Sequence, residues 1–365
     1  MTEPAIPLVR VAMAPEEVLW PLLREVLYSG QIGEGATVAE FESRFADNFK
    51  LPRAFSFHSG TAALHCALVL AGVRHGDEVI STPMTAEPTN LAILHAGGRV
   101  VWADVDPCSG NMDPESIAAR ITPRTRAILV VHYGGLPVRL AEIQAIAARH
   151  GIPVIEDCAH ALGARYNGQA IGTLAEFGMY SLQAIKHMTT VDGGMLTMRD
   201  SDLVTRTKTF RWFGMERGVD RSKVDITEVG YKYHMNNVTA AIGLAQLTII
   251  DDLIGRHKAN GRWFDTTLPA IAGIEVARFD PAADPSYWFY TLLSDDSAAV
   301  LARLAERGIS ASKLHRPNNQ HSIFADAARE LPGLDAFYRR MLHIPCGWWV
   351  GDLERERIAD ALRAG

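Results

Sequence analysis

Few of the features that mark a membrane, secreted or nucleic-acid-binding protein occur in this 365-residue sequence. No stretch approaches the roughly 18 uncharged apolar residues of a membrane span. The opening MTEPAIPLVR lacks a basic start followed by an apolar core, so a soluble, cytoplasmic protein with no membrane partner is expected. Cysteine is scarce: Cys66, Cys108, Cys158 and Cys346 form no C-x-x-C pair, which suggests neither a metal site nor a disulfide framework. Long basic runs are absent too, and 36 Lys+Arg against 42 Asp+Glu leave a net charge of −6. That balance argues against nucleic acid and for a small-molecule partner. There is no internal repeat or low-complexity segment. G-x-G-x-x-G is also missing between the first strand and helix, where the chain reads SGTAAL, which counts against a dinucleotide-dependent dehydrogenase.

What is present is an apolar share of 48%, ordinary for a globular protein, in a chain longer than one typical domain. From about residue 53, short apolar runs alternate with helical patterns: AFSFHS and TAALHCALVLAG, EVISTP and a helix near Asn90–Ala96, RVVWADV and PESIAARI, RAILVVHYGG and a helix near Leu140–Arg149, then IPVIEDC. Uniformly apolar strands separated by helices predict a mostly parallel sheet covered on both faces, an α/β/α sandwich. One long helix is read over Val238–Leu253. Beyond about residue 256 the pattern changes to the strand YWFYTLLS and the helices AAVLARLAERG and DLERERIADALRA. The expected division is a large α/β domain over residues 1–255 and a smaller α+β domain over 256–365.

Parallel sheets carry ligands outside the carboxyl ends of their strands, which directs attention to the residues after each apolar run. Ser59-Gly60-Thr61 ends a strand and opens a helix; the helix N–H groups suit a phosphate, or equally an ordinary side-chain cap. Asp157 ends IPVIED, where a buried carboxylate needs a partner: a cationic ring nitrogen, or a plain cap or salt bridge. His160 lies three residues on. Lys186 stands between the strand FGMYS and Gly193-Gly194, a place from which a buried amine could act as a nucleophile, although most lysines are merely solvated. Ser181 precedes it by five residues and could supply a hydroxyl to a phosphate.

The order of these elements is more specific than any one of them. S-G-T at a helix start, E-D-x-A-H at 156–160, and S-x-x-x-x-K followed by T-T-x-D-G-G at 181–194 together resemble the DegT/DnrJ/EryC1/StrS family of pyridoxal phosphate (PLP)-dependent sugar aminotransferases. The likeness runs from GEGATVAEFESRFADNF near the start to IPCGWWVGDLERERIADAL near the end. It implies a fold-type-I PLP-dependent transferase in which Lys186 forms the Schiff base, Asp157 faces the pyridine nitrogen and His160 contacts the ring hydroxyl. Gly60, Thr61 and Ser181 would form the phosphate cup. The segment GYKYHMNNVTAAIGL resembles the stretch from which a polar side chain reaches the phosphate of a neighbouring subunit; Asn237 is the candidate, with Lys232 and His234 as rivals, and a homodimer with shared active sites is implied.

One departure is the segment after Pro83, M-T-A-E-P-T-N, which lacks the aromatic that covers the ring in relatives and leaves Met84 or Ala86 for that face. For substrate, TFRWFGMERG offers Arg211, Trp212 and Arg217, and SKLHRPNNQHSIF offers His315, Arg316, Asn318 and His321, with Arg suited to phosphate through its planar fork. The resemblance implies transfer of an amino group from an amino acid, by analogy glutamate, to a keto-sugar, with the cofactor cycling through pyridoxamine phosphate. The sugar is expected on a nucleotide, with an unlinked sugar acid or an aminocyclitol precursor as further possibilities. Sugar dehydration is the alternative within the family, but such relatives carry histidine where this chain has Lys186. A regulatory protein that binds PLP without transferring amine is the alternative outside it.

Overall fold

The computed structural model describes residues 4–364. Its strands are β1 Phe55–Phe57, β2 Glu78–Ser81, β3 Arg99–Trp102, β4 Thr125–Val131, β5 Val154–Asp157, β6 Arg165–Tyr166, β7 Gln169–Ala170, β8 Phe177–Ser181, β9 Gly194–Met198, β10 Glu275–Val276, β11 Ala283–Asp284, β12 Tyr290–Leu293 and β13 Met341–Ile344. Seven of them form the main sheet in the order β1-β9-β8-β5-β4-β2-β3. Pairing is parallel from β3 across to β8, and β9 runs against both of its neighbours.

Both faces of the sheet are apolar because successive side chains of a strand point to opposite sides. Along β4, Ile128 and Val130 join one buried cluster while Ala127 and Leu129 join another; on β8, Tyr180 goes to the first and Phe177 and Met179 to the second. The first cluster is completed by the Phe41–Phe45–Phe49 side of the helix Ala36–Phe49, the second by the almost wholly buried helix Gly60–Leu70. The strand and helix alternation read from the sequence is thus the α/β/α arrangement expected, with helices on both faces.

A third cluster, built on Leu292, Leu342, Ile344, Leu304 and Ile358, packs around the antiparallel sheet β10-β12-β13. Two features of the way the chain enters it were not expected. The long helix read over Val238–Leu253 is two helices, Asn237–Gln246 and Ile250–Thr267, bent by 56°. The second crosses residue 255, giving Ile254 to the first cluster and Phe264 to the third. At the other end of the chain, Ile6 bridges to Ile309 and joins the third cluster, and Trp349 Nε1 donates to the Pro7 carbonyl at 2.8 Å.

Candidate active site

The carboxyl ends of β2, β4, β5 and β8 converge on one edge of the sheet, and that convergence gathers the reactive residues. Asp157 ends β5 and is buried. It accepts two hydrogen bonds, from the Ala159 N–H to Oδ1 at 3.0 Å and from Thr89 Oγ1 to Oδ2 at 2.8 Å. Burial nevertheless holds its carboxyl above the usual range, partly offset by those two donors and by the nearby charge of Lys186. Thr89 lies in the buried start of the helix Glu87–His95. Its only proton goes to Asp157, so at 3.0 Å Thr85 is the donor and Thr89 the acceptor.

Lys186 follows β8 in the loop before β9, and burial of its amine brings the pKa down to about 8 despite the attraction of Asp157. Nζ sits 3.9 Å from the ring centroid of Trp288. The other face of this arrangement is a pile of rings: His160 stacks on Trp288 at 4.0 Å and 19°, and His315 lies parallel to His160, 5.8 Å away. His160 Nδ1 accepts from the Gly134 N–H at 3.4 Å, which puts the ring proton on Nε2. Burial holds His160 far below its ordinary pKa and His315 down to about 4, so both are neutral at pH 7. Behind β5, the buried pair His132 Nε2 and Glu156 Oε2, 3.1 Å apart, braces the same strand end. Glu156 also accepts from the Gly172 and Ala175 N–H groups.

The helix Gly60–Leu70 is capped by Ser59, whose hydroxyl accepts from the Ala62 N–H at 3.2 Å. That leaves the first N–H groups, of Gly60 and Thr61, without an acceptor among the described residues. Gly60 is needed here because a Cβ would meet Met179 Sδ at 3.0 Å and Ser181 Cβ at 3.3 Å. Gly194 is tighter still: its Cβ would come within 2.6 Å of Gly60 N and the Ser59 carbonyl. The pair lets β9 press the helix start against Ser181.

The substrate-side residues divide into those the fold leaves at this edge and those it uses elsewhere. His315 is at the site, and its Nε2 is buried with no partner. The loop carrying it is tied down by Asn318, which donates to the Thr85 carbonyl at 2.8 Å and accepts from Asn90 Nδ2 at 2.8 Å. In that loop the exposed Arg316 turns back on Gln320, and His321 lies 3.5 Å from Glu87. Arg211, read from sequence as a substrate residue, is held by contacts within the protein. It is buried, pairs with Glu34 at 2.9 Å and Glu42 at 2.6 Å, and donates to the Ser56 carbonyl at 2.6 Å, so both terminal nitrogens of its guanidinium are engaged inside the protein. Arg217 pairs with the same Glu34 and covers the Trp212 ring at 4.7 Å.

Asn237 is similarly engaged: Oδ1 accepts from the Val38 N–H at 3.2 Å and Nδ2 donates to the Gln31 carbonyl at 2.8 Å. Of its rivals, Lys232 is exposed, whereas His234 sits edge-on to Trp212 at 4.5 Å. Met84 is fully buried in the second cluster, which also holds Trp288, while Ala86 stays partly exposed. Three site residues were not singled out from sequence: Thr89, Asn90 and Trp288. The polar run Thr82, Thr85, Thr89 and Asn90 at a buried helix start was the available sign for the first two.

These residues fit PLP. Two free N–H groups at a helix start with the Thr61 and Ser181 hydroxyls suit its phosphate, the buried Asp157 carboxylate suits a protonated ring nitrogen, and Lys186 offers an amine of lowered pKa.

Comparison with known proteins agrees. Residues 16–363 match the DegT/DnrJ/EryC1/StrS aminotransferase family. The chain is 34% identical over 341 residues to the GDP-perosamine synthase of Caulobacter vibrioides, covering 90% of each, and 31% identical over 357 residues to the spore coat polysaccharide biosynthesis protein SpsC of Bacillus subtilis, covering 93% of this chain and 92% of SpsC. Among solved structures it resembles the sugar aminotransferase CalS13 of Micromonospora echinospora, with 41% identity and a TM-score of 0.95 over 99% of this chain and 100% of the other. The chain belongs to the DegT/DnrJ/EryC1/StrS aminotransferase family, and is a PLP-dependent sugar aminotransferase of fold type I.

Proposed function

We propose that this protein moves an amino group from an amino acid, glutamate by preference, to the ketone of a nucleotide-linked sugar, working as a cytoplasmic homodimer. The observation that carries the catalytic part is the buried amine of Lys186, with a pKa near 8, set in one enclosure with the Asp157 carboxylate. When bound, PLP supplies the electron sink that makes a carbon beside the amine acidic.

The chain's own residues do the rest. The N–H groups of Gly60 and Thr61, with the Thr61 and Ser181 hydroxyls, hold the phosphate as an anchor. Asp157, fixed by Ala159 and Thr89, holds a proton on the ring nitrogen through the charge it presents, and His160 Nε2–H is the donor for the ring hydroxyl. Lys186 Nζ, whose pKa lowered to about 8 leaves a fraction of the amine neutral at physiological pH, would take the proton from the donor amino acid's α-carbon and return it to the cofactor carbon on the far side of the amino nitrogen; the acceptor half would run the same transfer in reverse. The balance is amino acid plus ketone giving oxo acid plus amine.

The nucleotide is supported by a relative named for making GDP-perosamine, whose product is nucleotide-linked. A dimer is supported by exposed apolar side chains on the first helix and its following loop, Trp20, Leu27, Tyr28 and Ile32, and by Phe213, Ile226 and Val229. The cytoplasm is in keeping with four cysteines left as thiols. The test is a panel of keto-sugar nucleotides added to the pyridoxamine form, read as return of the yellow absorbance. Return with a nucleotide-linked ketone is expected; return only with an unlinked ketone would overturn the nucleotide assignment.

A further inference from the structure

An amine that bonds to a cofactor in one part of a cycle must be kept somewhere in the other part. Lys186 has a four-carbon stem with free rotors, and a protonated amine under cover needs a partner. Among the described residues no acceptor hydrogen-bonds to Nζ and no carboxylate pairs with it; its contact is the indole face of Trp288 at 3.9 Å. The titratable groups around Nζ are Asp157 on β5, His160 after it, His187 beside it and His315 on the loop above. Burial keeps all three imidazoles well below their ordinary pKa, so Asp157 is the one charge they leave to attract an ammonium.

The indole is itself held at several points. Its Nε1–H donates to the Ile185 carbonyl at 2.9 Å, one residue from the lysine, and its own backbone N–H donates to the Gly134 carbonyl at 3.0 Å. His160 stacks on it at 4.0 Å, and the residue is 2% exposed. Close approach of the segment Ser286–Trp288 to the turn after β4 depends on Gly135: at φ +89° its Cβ would fall 2.8 Å from Tyr287 N and 2.9 Å from Trp288 N. Trp288 is therefore a rigid, desolvated π-face beside a mobile cation, the setting in which cation–π attraction is strongest.

We infer that Trp288 is a positioning residue for amino transfer: its indole face holds the Lys186 ammonium whenever that amine is not bonded to the cofactor. The inference rests on Lys186 being the cofactor-bonding amine. Trp288 thereby favours the protonated amine and keeps Nζ within reach between its two proton transfers, while the indole N–H bond to Ile185 fixes the loop.

The test uses the full chain loaded with pyridoxamine phosphate, in which Lys186 is free. Competitive acetylation across pH, read by mass spectrometry on the peptide containing Lys186, gives the midpoint of its titration. Trp288→Leu lowers that midpoint by about one pH unit, and the acid limb of kcat moves down with it. Trp288→Phe, which keeps a π-face but loses the N–H, restores more than half of the shift. Tetrafluorotryptophan placed at 288 keeps the shape, weakens the π-face and lowers the midpoint, which keeps the test open if Trp288→Leu does not fold. An unchanged midpoint in Trp288→Leu or in the fluorinated protein overturns the inference, as does Trp288→Phe behaving like Trp288→Leu, since the N–H bond would then be the whole role. Failure of the lysine assignment is distinguishable: borohydride would fix the cofactor on a different lysine.

Discussion

Thr89→Val removes a buried hydroxyl that donates to Asp157 and accepts from Thr85. The replacement is close to isosteric, so packing around the 3%-exposed side chain is nearly kept, and one of the two hydrogen bonds to the carboxylate is lost. A hydrogen bond to a charged group contributes about 1.5–3 kcal/mol, so its loss raises the Asp157 pKa further. The sign follows from linkage. Burial already holds the folded-state pKa above the unfolded value, so the ionised carboxylate costs stability as pH rises through that interval, and Thr89 reduces the cost. Thr89→Val is therefore expected to lose about 1.5–3 kcal/mol at about pH 8 and less at about pH 4, where more of the carboxyl is protonated; the Thr85 hydroxyl left without its acceptor adds a part that does not change with pH. Urea unfolding of the cofactor-free chain at the two pH values measures the difference, and PLP affinity at about pH 8 should fall in parallel. Equal losses at both pH values would refute the reasoning, because the hydroxyl would then be doing nothing for the charge on Asp157.

Arg211→Met leaves the part-buried Glu42 without its cation and Glu34 with Arg217 alone, at a cost of about 3–5 kcal/mol. For a chain of this length that is a Tm lower by about 4–6 °C, read by calorimetry, with KM for the keto-sugar unchanged; a large rise in KM with normal Tm would return Arg211 to the substrate. Gly194→Ala drives a Cβ to 2.6 Å from Gly60 N, overpacking the start of the phosphate-holding helix by about 1–3 kcal/mol. PLP binding measured by equilibrium dialysis should weaken about tenfold, and undiminished binding would place the phosphate elsewhere.

The sheet was legible because its strands are buried on both faces: runs such as AILVV in β4 are apolar without interruption, and the helices between them follow in register. Its strand order was not, since nothing local says that β9 inserts antiparallel between β1 and β8. In the site, Asp157 and Lys186 were each open to bland readings taken singly, and their order along the chain with Thr61 and Ser181 is what singled them out. The ion pairs of Arg211 were not legible, as the carboxylates that engage it are 177 and 169 residues away. Asn237 stands in a matching stretch, yet both ends of its amide bind the backbone of residues 31–38, a contact invisible in a short segment. Trp288 was hidden for the opposite reason: in YWFYTLLS an aromatic looks like core, and only the fold brings its face to Lys186.

The central claim is that Lys186 is the amine that bonds PLP. Borohydride reduction of the yellow protein followed by peptide mapping tests it directly. The account predicts a single phosphopyridoxyl adduct, on Lys186, and no yellow band in Lys186→Ala; an adduct on another lysine, or a yellow Lys186→Ala protein, would contradict it.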